Sequence, residues 1–153
     1  MGPCRMPTFR NLNEVAKYLQ PKINEALKKE VADRVATVQQ RNIQATVYDA
    51  YNPKEYLRRS ENGGLLDADN IKAELIEDGV LSVKNVTPPN PRYRHDKLEG
   101  NFIDYAVEYG KDYDFYSPGA RPFVKDTIED LRANKQHVEA MRRGLKRQGV
   151  NLK

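Results

Sequence analysis

Ile23, Leu27, Val31, Val35 and Val38 recur at steps of four, four, four and three residues, and this spacing constrains the fold more than any other feature of the chain. Steps of three and four place side chains on one face of an α-helix, so the segment predicts an amphipathic helix whose apolar stripe must be covered by another element. Lys22, Lys28, Lys29, Glu30 and Arg34 fall away from the stripe. A shorter helix precedes it. Asn11 is a good N-cap, Glu14 stands where the acid of a capping box belongs, and Leu12, Val15 and Leu19 share a face. Pro21 is poorly tolerated inside a helix but welcome in a first turn, so the first helix should end near Gln20 and a new or kinked one start there.

The opposite end carries a second amphipathic pattern. Pro122 opens it, and Phe123, Val124, Ile128, Leu131, Val138, Met141 and Leu145 lie on one side. Gly149 stops it, and Arg142, Arg143, Lys146 and Arg147 suit the negative end of the helix dipole. Between the two patterns the periodicity changes. Thr46-Val47-Tyr48 favours extended structure within 45–56, and Asn52-Pro53 biases the chain to a turn. Residues 58–70, with Gly63-Gly64, read as a loop, the glycine pair as a flexible one. Ile71 to Ile76 and Val80 to Val86 are candidate strands joined at Asp78-Gly79, a strong hairpin signal. Their shared face pairs Ile71, Ala73 and Leu75 either with Val80, Ser82 and Lys84 or, with a bulge, with Leu81, Val83 and Val86. Thr87 to His95 is a proline-rich loop, Asn101 to Tyr109 a short helix, and Lys111 to Ala120 a polar, Tyr-rich loop.

These elements predict an α+β fold: long N-terminal and C-terminal amphipathic helices packed on a small antiparallel sheet. Residues 1–10 form a flexible N-terminal tail, 11–149 a single domain and 150–153 a C-terminal tail. At 153 residues such a domain buries roughly 70% of its unfolded surface, enough for one core. Leu27, Val31, Val35, Ile128, Leu131 and Leu145 should be largely buried in it.

No apolar run approaches the roughly 20 residues that cross a bilayer, and residues 1–10 lack the apolar centre of a signal peptide, so no membrane partner and an intracellular protein are expected. Met6 could itself be a start, leaving residues 1–5 as an extension. Cys4 is the only cysteine, which excludes an internal disulfide or a cysteine-rich metal site.

Enzyme signatures are missing as well. Gly63-Gly64 has neither a following Lys-Ser/Thr nor a spaced third glycine, as phosphate loops require. His95 and His137 do not stand at metal-ligand spacing. Asp67, Asp69, Glu74, Glu77 and Asp78 gather around the hairpin, and a metal-dependent nuclease would use such acids, although an acidic run is more often a solvated face. No catalytic residue, metal or cofactor is therefore expected. The net charge is +4 and the pI near 9.1. Seven Lys or Arg and one acid lie between Arg132 and Lys153. That basic end could bind DNA or RNA through phosphates, or meet an acidic face on a neighbouring subunit, such as the 67–78 region of a second copy.

Three segments in order carry a resemblance. They are Val47-Tyr48-Asp49-Ala50-Tyr51-Asn52-Pro53-Lys54-Glu55-Tyr56-Leu57-Arg58-Arg59 running into Gly63-Gly64-Leu65, then Tyr105-Ala106-Val107-Glu108-Tyr109-Gly110, then Ala120-Arg121-Pro122-Phe123-Val124 opening the last helix. This order resembles the small neck proteins of long-tailed double-stranded-DNA bacteriophages, the head–tail connector or tail-completion proteins. The resemblance covers roughly 11–149. It implies a non-catalytic virion protein, made in the cytoplasm of a bacterial host, that forms a homo-oligomeric ring on assembly and is compatible with a monomer when free. Its implied partners are the phage portal or adaptor and the tail proteins, with DNA passing through the lumen without sequence-specific binding. The interface residues expected are Tyr48, Tyr51, Tyr56, Arg58, Arg59, Arg92, Tyr93, Arg94, Arg142, Arg143, Lys146 and Arg147. A small basic DNA- or RNA-binding protein is the alternative.

Overall fold

A single helical rod runs from Leu12 to Tyr48 and carries a β-hairpin and two C-terminal helices on its sides. The structure, a computed structural model, describes residues 7–49, 63–88, 107–108 and 120–152. Helix α1 (Leu12–Ala26) opens as the cap pattern predicts: the Asn11 side chain accepts the Glu14 N–H at 3.0 Å. Glu14 reaches back to the N–H of Arg10 at 2.8 Å, one residue before the cap itself. Phe9 packs on Tyr18 with ring centroids 5.1 Å apart. Pro21 does not end this helix, contrary to the break expected at Gln20. The ring is exposed, so its bulk and missing N–H face water, while Lys22 and Ala26 just beyond it are held by contacts with the last helix.

Two wide turns interrupt the rod. Leu27–Val31 and Gln44–Tyr48 are π-helical, with the Ala32 N–H bonded to the Leu27 carbonyl and the Asp49 N–H to that of Gln44 at 2.8 Å. A π turn inserts residues into the helical repeat and re-aims the buried stripe. Ala26 and Val31, five apart across the first wide turn, are both buried. Helix α2 (Ala32–Ile43) continues with Val38 and Ile43 inside. Leu27 and Val35 are only half-buried. The extended structure expected at Thr46-Val47-Tyr48 is helical instead; Val47 gains a place in the core, and that burial outweighs the strand preference of the β-branched pair. The remainder of that expected segment, 50–56, lies outside the described residues.

Strands β1 (Ile71–Glu77) and β2 (Val80–Asn85) form the antiparallel hairpin. Gly79 turns it with φ +77°, a left-handed conformation that favours glycine. Ile71 faces Asn85, Ala73 faces Val83 and Leu75 faces Leu81, with an irregularity between Leu75 and Glu77. The bulged alternative is therefore the one adopted, with Asn85 in the place allotted to Val86. The hairpin docks on the rod through Asn24, which donates to Asp78 at 3.0 Å and accepts from the Gly79 N–H at 2.9 Å.

Gly63-Gly64 lies in a loop, as expected, and hydrogen bonds tie it down. The Gly64 carbonyl accepts from the Asn70 amide at 2.9 Å and from the Asp67 N–H at 3.1 Å, and the Gly63 N–H donates to Asp67 at 2.7 Å. The buried Asn85 amide donates to the Leu65 carbonyl at 2.9 Å, and Gln40 on α2 donates to that of Leu66 at 2.9 Å. These bonds satisfy backbone that would otherwise be costly to bury, and Leu65 and Leu66 enter the core.

The C-terminal pattern is two helices rather than one: α3 (Phe123–Asn134) and α4 (Gln136–Arg147), joined at Lys135 with φ 52°. Helix α3 packs on α2, whereas α4 packs on α1 and the first wide turn, so the chain must change direction between them. The split divides the apolar stripe. Phe123 and Thr127 are buried from α3 and Ala140 and Gly144 from α4, while Leu131 and Leu145 are half-buried. Ile128, expected inside, is 44% exposed. The arrangement is α+β.

Candidate interaction surfaces

Described residues from each of the three segments that carry the resemblance meet in one cluster. Ile43, Val47, Leu65, Leu66, Val107 and Phe123 are buried together, with Tyr48 and Val124 packed at the margin. Phe123 is fully buried and is among the largest such side chains in the described residues. The Arg121 N–H donates to the Val107 carbonyl at 2.8 Å, which binds the second segment to the third. Pro122, at the cap position of α3, makes no side-chain cap. Glu108 supplies one: its two carboxyl oxygens accept the N–H groups of Val124 at 2.8 Å and Lys125 at 3.0 Å. Thr46 on the rod adds a hydrogen bond to Asp126 at 2.8 Å. Glu108 was not singled out from the sequence, yet a signal existed. Ala120-Arg121-Pro122 offers no Ser, Thr, Asp or Asn before the helix, so its first N–H groups needed a cap from elsewhere.

The basic end is built by a close crossing of α4 over α1. A Cβ placed on Gly144 would lie 2.6 Å from the Ala26 Cβ, so only glycine lets the backbones approach this closely. A glycine inside an otherwise strong helical pattern costs about 1 kcal/mol against alanine and marks such a contact. Lys22 donates to the Gln148 carbonyl at 3.1 Å, and the Gln148 amide donates back to the Lys22 carbonyl at 2.7 Å. Arg147 is ion-paired and hydrogen-bonded with Glu30. That hydrogen bond holds the Glu30 carboxyl below its ordinary range and raises Arg147. Arg41 likewise lowers Asp130 across the α2–α3 contact, at 2.7 Å.

Of the basic residues expected at an interface, Arg147 is thus committed within the chain. Arg142, Arg143 and Lys146 are exposed. Arg143 and Arg34 flank an open groove of about 390 Å³ between α4 and α2, which Glu30, Asp33 and Thr37 also line. Tyr48 is half-buried against the core. Tyr51, Tyr56, Arg58, Arg59, Arg92, Tyr93 and Arg94 lie outside the described residues.

The acids of the hairpin region are partly employed too. Asp67 caps a short turn at Ala68–Asn70 by accepting the Asp69 N–H at 2.9 Å, and Asp78 holds Asn24. Asp69, Glu74 and Glu77 are exposed. Among the described residues, no group of three or more His, Cys, Asp or Glu side chains is placed to hold a metal ion, and no helix is long and apolar enough to cross a membrane.

A family model described as YomN matches residues 11–147. The chain belongs to the YomN family. Its matched span takes in the rod, the hairpin, the core cluster and both C-terminal helices, ending on the Arg147 that pairs with Glu30. No curated protein and no solved structure matches the chain.

Proposed function

We propose that this YomN-family chain is a non-catalytic structural subunit of a tailed phage, a neck, head–tail connector or tail-completion protein that joins the portal to the tail as a ring. The observation that carries this reading is the convergence of Val47, Leu65, Val107 and Phe123 in one core, with Glu108 capping the helix that Phe123 opens. Described residues of each segment that resembles the neck proteins thus share one core, which supports a likeness of architecture rather than of scattered short matches. The family's namesake, a protein of a Bacillus phage region, agrees with a phage origin. In the reading, the protein assembles on a portal or adaptor, meets tail proteins on its other side, and lets DNA pass without reading its sequence.

The test is genetic and visual. Inactivating the gene in a phage that encodes it should leave DNA-filled heads and free tails unjoined under the electron microscope, and supplying the protein should restore joining. Normally joined, infectious particles would defeat the proposal. Exposed Arg132, Arg142, Arg143 and Lys146 favour a second reading, a small basic nucleic-acid-binding protein. Duplex binding that falls steeply with salt and weakens when these four are neutralised would support it.

A further inference from the structure

Two of the most exposed apolar groups of the described residues lie at the tip of the hairpin, where Ile76 is 60% and Val80 37% exposed. Glu74 and Glu77 flank them. In the strand register Val80 stands opposite Glu77 and Ser82 opposite Glu74, so these residues belong to the face turned away from Leu75 and Leu81; the exposed pair Lys72 and Lys84 shares that face farther from the turn, so the acidic part is the tip. On α4, Val138, Met141 and Leu145 stand at i, i+3 and i+7 and form one stripe, distinct from the Ala140–Gly144 stripe that meets Ala26. Val138 is 40% exposed, Met141 and Leu145 are half-buried, and Arg142 and Lys146 border the stripe with positive charge.

These patches cannot meet within one molecule. Lys22 and Ala26 contact α4, while Asn24 holds the hairpin. Asn24 is two residues from each, a rotation of about 200° around an α-helix, so the hairpin and α4 lie on opposite sides of the rod.

We infer that the acidic, apolar hairpin tip of one copy seats on the basic, apolar α4 stripe of a second copy. Ile76 and Val80 cover Val138 at the centre, and Glu74 and Glu77 face Arg142 and Lys146 at the rim. Opposite signs and matched apolar centres favour a second copy as the occupant, and the rim charges set register and rate of encounter more than strength. Since the two patches are different surfaces on opposite sides, the contact is head-to-tail and repeats from copy to copy, closing a ring when the rotation between copies permits. The inference rests on the reading of the chain as an assembling subunit and adds which surfaces meet.

Cysteine cross-linking tests it in the full chain carrying Cys4→Ser. One preparation carries Val80→Cys and another Val138→Cys; the two are mixed, oxidised and resolved without reductant, while the unsubstituted chain is sedimented over a range of concentrations. The expected result is a disulfide-linked dimer at least tenfold more abundant in the mixture than in either preparation alone. Arg142→Glu should reduce it, and Glu74→Lys with Glu77→Lys on the other copy should restore it. Oligomers on sedimentation without preferential cross-linking would overturn this interface and leave the assembly reading standing. A chain that stays monomeric at every concentration, and gives no cross-link alone or on portal-bearing heads, would overturn both.

Discussion

Glu108 caps a helix that begins well after it in sequence, and so ties the segment around Val107 to the start of α3 beside the core cluster. Its carboxyl group is the side-chain partner of two N–H groups at the first turn of α3, next to the fully buried Phe123. Glu108→Ala removes both acceptors and leaves two partly buried N–H groups of the first turn uncapped, so it should cost about 0.5–2 kcal/mol of stability in urea unfolding. Glu108→Gln keeps one oxygen and should lose roughly half as much. Equal losses for Ala and Gln would mean that packing of the side chain, not the cap, is what matters. Phe123 and Ile128 illustrate the same dependence on place: both belong to the apolar face of α3, but one fills the cluster and the other is 44% exposed. Truncating a buried phenylalanine costs about 3–5 kcal/mol, a figure that cannot carry over to the exposed isoleucine.

At the scale of elements, the joint between α3 and α4 is the most strained point of the described backbone. Lys135 adopts φ 52° and is the one non-glycine residue among those described with positive φ. A left-handed conformation costs an L-residue about 1–2 kcal/mol, and glycine avoids that cost while losing more chain entropy. Lys135→Gly should therefore raise stability by about 0.5–1 kcal/mol, seen as a higher urea midpoint with an unchanged slope. A lower midpoint would show that the lysine side chain compensates for the strain. This joint also explains why one helix was expected where two exist. The apolar spacing from Phe123 to Leu145 is nearly continuous, and no glycine or proline marks Lys135; the break comes from tertiary demands, because α3 and α4 lean on different parts of the rod. Local chemistry made other features legible: the Asn11 cap, the Asp78-Gly79 turn, the stop at Gly149 and the α+β composition. The π turns were not legible, since five-residue steps in burial leave no distinct local pattern, and Pro21 misled because exposure, not sequence, decides whether a helix passes through it. For the candidate interaction surfaces, the sign of charge at each end could be read directly, but not that Arg147, Asp67 and Asp78 are occupied inside the chain.

At the scale of the molecule, carboxylates tie the C-terminal helices to the rod. Hydrogen bonds from Arg147 to Glu30 and from Arg41 to Asp130 lower the pKa of each acid in the folded state. A depressed folded pKa means that the stabilisation is complete above the unfolded value and is lost as pH falls through the folded one. Stability should thus hold from neutral pH down to the ordinary carboxylate range and decline below it. In urea melts from pH 7 to pH 3, Glu30→Gln should decline less than the unsubstituted chain; parallel declines would show that this pair adds nothing. The same contacts join the two ends of the sequence. Lys22 and Gln148 are 126 residues apart, and Gly144 must lie against Ala26 before α1 has its main partner. During synthesis at about 5–20 residues per second, α1 therefore waits on the order of ten seconds for α4 to be made. A chain truncated before Gly144 would leave that face of α1 bare, so a nascent or prematurely ended chain exposes packing surface that only the completed chain covers.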